Sequence, residues 1–239
     1  MANLLTFEEF QEMINRCTGL QTTVPELTDD PKVTFEKLGM DSLGVLGVVT
    51  ELENKLGISL DDATAVSAVP ADLLRVVHER LLADGRLRKG HTEASTVIAA
   101  PLERVWEVTN DVPGWTELFS EYAEATVLER DGETVRFRLT MHPDENGTMW
   151  SWVSERTPDR AARTVRARRV ETGAFEFMDI RWTYTEVPGG VEFHWAQDFA
   201  MKPDAPVSDD WMTANITANS LFQQARIRHL IETGFPHGK

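Results

Sequence analysis

MDIRWTYTEVPGGVEFHWAQDF (residues 178–199) determines the architecture of the second half of the chain. Apolar and polar residues alternate on both sides of Pro188-Gly189-Gly190, a tripeptide typical of a tight turn. Such alternation places every second side chain on the same face of a β-strand. The stretch therefore predicts a β-hairpin with one apolar face, formed by Met178, Ile180, Trp182, Tyr184, Val191, Phe193, Trp195, Gln197 and Phe199.

The same alternation recurs earlier in the chain. Val135, Phe137, Leu139 and Met141 alternate with polar residues after a turn signal at Gly132. Repeated amphipathic strands joined by turns predict an antiparallel sheet with one apolar face and one solvated face. Two helical stretches interrupt this pattern, at Pro101–Asn110 and from about Ser208 to Glu232.

The first 85 residues instead show helical spacing. Thr6 with Glu9 forms a capping box, Asp41 can cap a second helix, and Pro70 suits the first turn of another. Gly57 marks the end of the second of these helices. Short helices with long connections predict a small bundle. The change of period from 3.6 to 2 across the basic segment 86–92 predicts three parts: a domain at 1–85, a linker at 86–92 and a domain at 93–239.

Charge and composition limit the possible partners. The net charge of −15 argues against nucleic-acid binding, and residues 1–85 alone carry −9. This acidity is compatible with basic partner surfaces and equally with an ordinary solvated helical surface. No apolar run approaches the ~20 residues of a membrane span, and no secretory signal opens the chain, so we expect no membrane association and a cytoplasmic location. A single cysteine, Cys17, excludes an internal disulfide and a cysteine-based metal cluster.

The segment Trp150–Arg156 contains the most informative strand. Alternation places Trp150, Trp152, Ser154 and Arg156 on one face, which the tryptophans identify as the inner one. An unpaired guanidinium is costly to bury, so this pattern favours a cavity for an oxygen-rich ligand over a packed core. An arginine that reaches water from the strand end remains the alternative.

Two further features support a polar cavity. Arg169 shares a strand face with Val165 and Ala167, and Asn219 and Gln223 interrupt the apolar stripe of the last helix. Buried amides with backbone partners would also explain the last two. No histidine pair has metal-ligand spacing, and neither a glycine-rich phosphate loop nor a Ser-His-Asp arrangement is evident. The expected chemistry therefore uses a cavity, without a metal or redox cofactor.

The first half resembles acyl carrier proteins at Leu38-Gly-Met-Asp-Ser-Leu43. The resemblance implies a four-helix bundle in which Ser42 receives 4′-phosphopantetheine from a phosphopantetheinyl transferase. It also implies a ketosynthase/chain-length factor as a partner and a polyketide intermediate as the cargo. A hydroxyl exposed at a helix N-terminus is favourable for an attached phosphodiester.

From about Glu93 to Glu232 the chain is similar to single-domain aromatase/cyclases of bacterial type II polyketide synthases, of the tetracenomycin and spore-pigment kind. The matching motifs are Ala100–Trp106, Leu118–Tyr122, Trp150–Arg156, Arg169–Gly173 and Met201–Pro206. The resemblance implies an α+β helix-grip fold of the START/Bet v 1 type, in which a curved antiparallel sheet wraps a long C-terminal helix. It also implies first-ring cyclisation and aromatisation of a carrier-bound poly-β-ketone.

The same resemblance implies the residues of the site. Arg156 matches the arginine deep in the pocket, Tyr122 a nearby phenol, and Ser154 completes the expected catalytic group. The expected substrate pocket comprises Trp115, Phe119, Trp152, Arg169, Met178, Trp182, Asn219 and Gln223. Two rival functions share this pocket: a module that only shields a reactive polyketide, and a lipid or hormone carrier of similar fold, which the fused carrier domain disfavours.

Overall fold

The computed structural model describes residues 5–60, 68–144 and 146–234, which form two compact units. One unit contains the described residues up to Lys89 together with Asp209–Ala225. The other contains Gly90–Ser208 and the described residues from Arg226 onward. Of the helices in these ranges, none has the length and hydropathy to cross a membrane. The boundaries at 85 and 93 stay a prediction, since the compact units are divided differently.

The first unit is helical, as predicted. Its elements are α1 (Phe7–Thr18), α2 (Val24–Thr28), α3 (Ser42–Leu56), α4 (Pro70–Ala83) and the first part of α7 (Asp209–Thr233). The predicted capping box between Thr6 and Glu9 begins α1, and Asp41 caps α3. Gly57 ends α3 in the left-handed conformation, as its position in the sequence indicates.

The core of the helical unit includes side chains of α7. Phe10, Ile14, Leu52 and Leu73 are fully buried, and Leu221 and Phe222 of α7 are buried in the same cluster. The ring of Phe222 meets that of Phe7 edge to face, with centroids 5.4 Å apart, and that of Phe10 at 6.2 Å. The first part of α7 is therefore part of the same hydrophobic core as α1, α3 and α4.

The second unit contains a seven-stranded antiparallel sheet with the order β1-β7-β6-β5-β4-β3-β2. Its strands are β1 (His91–Ile98), β2 (Tyr122–Asp131), β3 (Thr134–Met141), β4 (Ser151–Asp159), β5 (Thr164–Arg169), β6 (Phe175–Val187) and β7 (Gly190–Met201). The predicted hairpin is the β6–β7 pair, closed by Val187 opposite Gly190. Gly190 has a φ of 149°, and a Cβ there would lie 2.0 Å from the carbonyl oxygen of Ile98, so this close approach requires glycine.

Short helices follow β1 and pack on the inner face of the sheet. They are α5 (Leu102–Asn110), a 3-10 turn (Val112–Gly114) and α6 (Trp115–Leu118). The last turns of α7 add Ile227 and Ile231 to the same core. Trp150 departs from the expected pattern, because it precedes β4 and is about half exposed, so it does not contribute to the inner face.

Candidate active site and carrier site

Strand β4 directs Trp152, Ser154 and Arg156 to the inner face, where all three are buried. This placement follows the alternation of the sequence. Ser154 pairs with Arg169 on β5 and with Phe137 on β3, so the two arginines occupy neighbouring strands. The inner face of the sheet thus carries two guanidinium groups within an aromatic core.

Arg156 is 2% exposed and bonds to neutral oxygens. Its Nη1 donates to the carbonyl oxygen of Thr109 at 3.2 Å, and its Nη2 donates to Oδ1 of Asn110 at 2.9 Å. The guanidinium carbon lies 4.9 Å from the ring centroids of both Trp115 and Trp182. Within the described residues it makes no ion pair with a carboxylate. Burial lowers the pKa of Arg156 to about 10, so the group remains positively charged at neutral pH.

A tyrosine that the sequence did not single out as functional completes this arrangement. The hydroxyl of Tyr184 lies 2.8 Å from Oγ1 of Thr109, and Asn110 donates to it from Nδ2 at 3.4 Å. Burial raises the pKa of Tyr184 to about 12, against the opposing charge of Arg156. The phenol is therefore protonated at neutral pH and able to donate a proton or hydrogen bond. Its position among apolar residues, two after Trp182, is the signal that could have identified it.

Tyr122 lies near the second buried arginine, Arg169. The guanidinium of Arg169 stacks over the ring of Trp152 at 4.0 Å and over that of Phe175 at 4.5 Å. Burial, and then the neighbouring Glu121, raises the pKa of Tyr122 well above its usual value, while Arg169 opposes the shift. Burial likewise lowers the pKa of Arg169 to about 10. The site therefore has two cationic centres, one beside Tyr184 and the other beside Tyr122.

Aromatic rings connect the two centres. Trp115 contacts Arg156 and also stacks on Tyr122, with ring centroids 6.5 Å apart. Phe119 lies 5.3 Å from Tyr122, and Trp152 lies 6.2 Å from it. The structure thus brings together most of the predicted site residues, which are Trp115, Phe119, Tyr122, Trp152, Arg156, Arg169 and Trp182. Ser154 and Met178 are buried on the same face of the sheet.

Asn219 and Gln223 belong to the other compact unit. Both lie on the part of α7 that belongs to the helical unit, and Nε2 of Gln223 donates to Oδ1 of Asn219 at 3.3 Å. Gln223 is buried, as the interrupted apolar stripe predicts. Their participation in the substrate pocket stays a prediction.

The opposite face of the sheet carries an open groove of about 470 Å³. Charged side chains line it, among them Glu155, which pairs with both Arg136 and Arg168. Such exposed ion pairs are typical of a solvated surface and contribute little to stability. The groove is remote from the inner-face arginines, because alternating side chains of β4 and β5 point to opposite faces.

Ser42 is the first residue of α3 and is exposed. Oδ1 of Asp41 accepts a hydrogen bond from the backbone nitrogen of Gly44 at 2.8 Å, which fixes the start of the helix beside the serine. Leu43 is 76% exposed, and Leu46 is also exposed. An accessible hydroxyl at a helix N-terminus fits the attachment of a phosphodiester such as phosphopantetheine.

Comparisons with known proteins find a match for each half of the chain. A family model described as polyketide cyclase / dehydrase and lipid transport matches residues 98–217, and one described as phosphopantetheine attachment site matches residues 8–77. A protein of Streptomyces cyaneus named "Putative polyketide cyclase" is 63% identical over 143 residues, which are 60% of this chain and 94% of that protein. The anthracycline acyl carrier protein DpsG of Streptomyces peucetius is 39% identical over 80 residues, which are 33% of this chain and 94% of the carrier.

A solved structure supports the fold of the second half. The crystal structure of the Zhui aromatase/cyclase from a Streptomyces species matches with a TM-score of 0.54 and 23% identity, covering 61% of this chain and 94% of that one. The two family matches do not overlap: the carrier match at residues 8–77 precedes the cyclase match at residues 98–217. The chain belongs to the polyketide cyclase / dehydrase and lipid transport family, and it joins a cyclase domain of polyketide biosynthesis to an acyl carrier domain that bears phosphopantetheine.

Proposed function

We propose that the sheet domain catalyses first-ring aldol cyclisation, dehydration and aromatisation of a poly-β-ketone, and that Ser42 of the carrier domain is the residue that bears the phosphopantetheine. The attached group supplies a flexible tether for the acyl chain. The observation that carries the catalytic proposal is the environment of Arg156, a buried cation that contacts neutral groups of Thr109, Asn110 and Tyr184 and two indole rings. Its charge is thus available to an oxygen of the substrate.

The aromatic walls orient the substrate. Trp115, Trp152 and Trp182 present flat, rigid surfaces around the two guanidinium groups. A free poly-β-ketone can close many different rings. A pocket that holds it in one bend orients a single pair of carbons for reaction. This contribution is to orientation, and the reactivity comes from the substrate's own acidic methylene groups.

Arg156 stabilises the negative charge that develops during ring closure. Loss of a proton from a methylene between two carbonyls gives an enolate, whose carbon attacks a ketone of the same chain and leaves an alkoxide. A guanidinium donor aimed at either oxygen lowers the barrier, and one such donor typically contributes about 3–4 kcal/mol. The alkoxide then takes up a proton, the resulting hydroxyl leaves as water together with a neighbouring α-proton, and enolisation of the remaining ring ketones gives the aromatic ring.

The phenols of Tyr122 and Tyr184 can act as proton donors in these steps. Because burial raises the pKa of both Tyr122 and Tyr184, each keeps its proton at neutral pH and can donate to a leaving hydroxyl. Tyr122 and Ser154 lie near Arg169, while Tyr184 lies near Arg156. We assign proton removal to water or to the substrate's own enolates.

The test compares Arg156→Ala with Arg166→Ala, which removes an exposed arginine from the next strand. Each variant is combined with a minimal polyketide synthase, and the products are identified by mass spectrometry. We expect Arg156→Ala to shift the products to spontaneously cyclised polyketides, with Arg166→Ala unchanged. If Arg156→Ala keeps the parental product at full rate, the domain only shields the chain and the catalytic assignment is wrong.

A further inference from the structure

Two arginines face each other without a counter-ion in the open groove on the outer face of the sheet, the face opposite to that of Arg156. Arg166 of β5 pairs directly with Arg181 of β6 in the antiparallel register, and both side chains are exposed. Neither side chain makes an ion pair or a hydrogen bond with the residues that the structure describes. Like charges directly opposite one another destabilise a sheet, because their Cβ atoms lie only about 4.5–5.5 Å apart. The pair therefore costs the sheet stability unless an anionic group neutralises it.

A second pair of like charges lies beside the first. Asp179 of β6 is directly opposite Asp198 of β7, and both line the same groove. Oδ1 of Asp198 lies 2.8 Å from Nδ1 of His91, and the aspartate side chain stays 52% exposed. The exposed side chain of Asp179 has no ion pair or hydrogen bond in the described part of the chain. The groove thus has a positive end, Arg166 with Arg181, and a negative end, Asp179 with Asp198.

Neighbouring charges on this face are paired within the sheet. Glu155 of β4 bonds to Arg168 of β5 at 3.0 Å and also to Arg136 of β3. Arg138 of β3 bonds to Glu171 at 2.8 Å. Opposite charges that meet across strands in this way stabilise a solvated sheet face. The two like-charged pairs depart from this pattern, so the groove presents charges of both signs to a partner outside the chain.

The two ends of the groove have the spacing that a symmetric pair of molecules requires. Arg181 and Asp179 lie two residues apart on β6, and the two pairs are offset by one strand. With about 3.3 Å per residue and about 4.8 Å between strands, the centres of the pairs lie about 8 Å apart. A two-fold axis in the contact plane, midway between these centres, places the arginines of one copy on the aspartates of the other, and the reverse. A surface that complements itself in this way forms an isologous contact.

We propose that the outer face of the sheet docks a second copy of this chain, through reciprocal contacts between the Arg166–Arg181 pair and the Asp179–Asp198 pair. A second copy fits better than a separate acidic protein, because an acidic surface would match only the arginine end of the groove. Seven strands of at least 6 residues form a face of about 29 Å by 20 Å. Two such faces bury about 1,200 Å² in total, the lower limit of specific interfaces, so the dissociation constant is expected in the micromolar range.

This contact does not depend on the proposed function. The groove and Arg156 lie on opposite faces of the sheet, so loss of the contact leaves the inner face unaltered. The products of cyclisation should therefore stay the same in variants of the groove. A dimer holds two carrier domains and two cyclase domains in one particle. An acyl chain attached to Ser42 of one copy then has the cyclase domains of both copies at high local concentration.

The experiment measures the mass of the full chain by sedimentation equilibrium. At about 100 µM chain and low salt we expect a dimer, which dissociates in about 1 M salt because the Debye length then falls to about 3 Å. Arg166→Glu with Arg181→Glu should raise the dissociation constant by about tenfold or more, since each change removes its contact twice in a symmetric dimer. Arg16→Glu with Lys37→Glu is the matched control. It makes the same change of net charge at side chains of the helical unit that are 60% and 69% exposed, and should leave the dissociation constant nearly unchanged.

Exchange of the charges provides a second arm. Asp179→Lys with Asp198→Lys should also give a monomer, and an equimolar mixture with the Arg166→Glu, Arg181→Glu chain should form a heterodimer. Circular dichroism checks that each variant is folded. Arg181→Gln with Asp179→Asn keeps the net charge and avoids new repulsion within the sheet, so it covers the case in which a reversal impairs folding. It should weaken the dimer as well.

Three results would overturn the proposal. The first is an unmodified chain that stays monomeric at about 100 µM in low salt, well above the expected dissociation constant. The second is a dimer whose dissociation constant none of the groove variants alters, which would place the contact elsewhere on the chain. The third is a dimer that the arginine changes weaken and the aspartate changes do not. In that case the arginines bind an acidic surface, and the reciprocal contact is wrong.

Discussion

The hydroxyl of Tyr184 lies 2.8 Å from Oγ1 of Thr109, and the carbonyl of the same threonine accepts a hydrogen bond from Arg156. The phenol of β6 and the guanidinium of β4 therefore both bond to one residue at the end of α5, and they also interact directly, since each shifts the pKa of the other. Tyr122, the phenol expected beside Arg156, lies instead against Arg169 and Trp152. The site therefore contains two candidate proton donors, Tyr184 beside Arg156 and Tyr122 beside Arg169.

Tyr184→Phe tests which phenol acts in dehydration. The change removes one hydroxyl and keeps the ring, which packs on Trp106 with centroids 4.9 Å apart. We expect the first-ring alcohol to accumulate and aromatisation to slow by about a hundredfold or more, the usual contribution of a general acid. Tyr122→Phe serves as the comparison, and mass spectrometry separates the alcohol from its dehydrated product. Slowing in Tyr122→Phe alone would assign the acid to the Arg169 side.

Loading of the carrier domain is the second prediction. A phosphopantetheinyl transferase with coenzyme A should add the mass of one arm to the chain, and Ser42→Ala should abolish the addition. The exposed hydroxyl at the start of α3 is the physical reason, because it is accessible and lies at the positive end of the helix. Peptide mapping of the loaded chain locates the arm. An arm found on another serine, or none in folded protein, contradicts the assignment.

The sequence predicted the elements with strong periodicity and missed features that depend on tertiary packing. The β6–β7 hairpin, the capped helices α1 and α3, and the inner-face positions of Ser154 and Arg156 all follow from local pattern. Trp150 was misplaced, because alternation alone does not show where a strand begins. Tyr184 and Arg156 lie on different strands and share Thr109 of α5 as a partner, and no pattern within a single strand reports such contacts.

The assignment of α7 to one domain shows the same limit. Its apolar residues fit a single amphipathic helix, yet Phe222 packs on Phe7 and Phe10 while Ile227 and Ile231 belong to the core of the sheet unit. A residue pattern identifies which positions are buried and does not identify what covers them. Domain boundaries read from sequence order therefore could not anticipate that Asp209–Ala225 groups with the helical unit.

The stability of the helical unit should depend on pH through His78. This histidine lies buried on α4, and burial lowers its pKa to about 4 from a usual value of ~6.5. In the unfolded chain His78 is therefore protonated below about pH 6.5, whereas in the folded chain it stays neutral down to about pH 4. The free energy of unfolding should be constant above pH 6.5 and fall by about 3 kcal/mol as the pH drops to 4.

His78→Leu should abolish most of this slope, because the neutral side chain has no proton to bind. Urea unfolding, monitored by helical circular dichroism between pH 4 and 7, measures it. His142→Gln is the control, since His142 is exposed in the sheet unit. An unaltered slope in His78→Leu would show that other groups govern the acid sensitivity.

The last prediction concerns the edge-to-face contact between Phe7 and Phe222, whose centroids are 5.4 Å apart. Phe222→Ala removes this contact and that with Phe10, and leaves a cavity in the core of the helical unit. We expect the free energy of unfolding of this unit to fall by about 3–5 kcal/mol, the usual cost of deleting a buried phenyl ring. Amide hydrogen exchange of α1 and α3 measures the effect directly, because it reports local opening within one unit. Phe177→Ala provides the control, since Phe177 is exposed on β6 and its loss should change stability by less than about 0.5 kcal/mol. Exchange in α1 and α3 that is equally slow in Phe222→Ala and in the unmodified chain would show that α7 does not contribute to the core of the carrier helices.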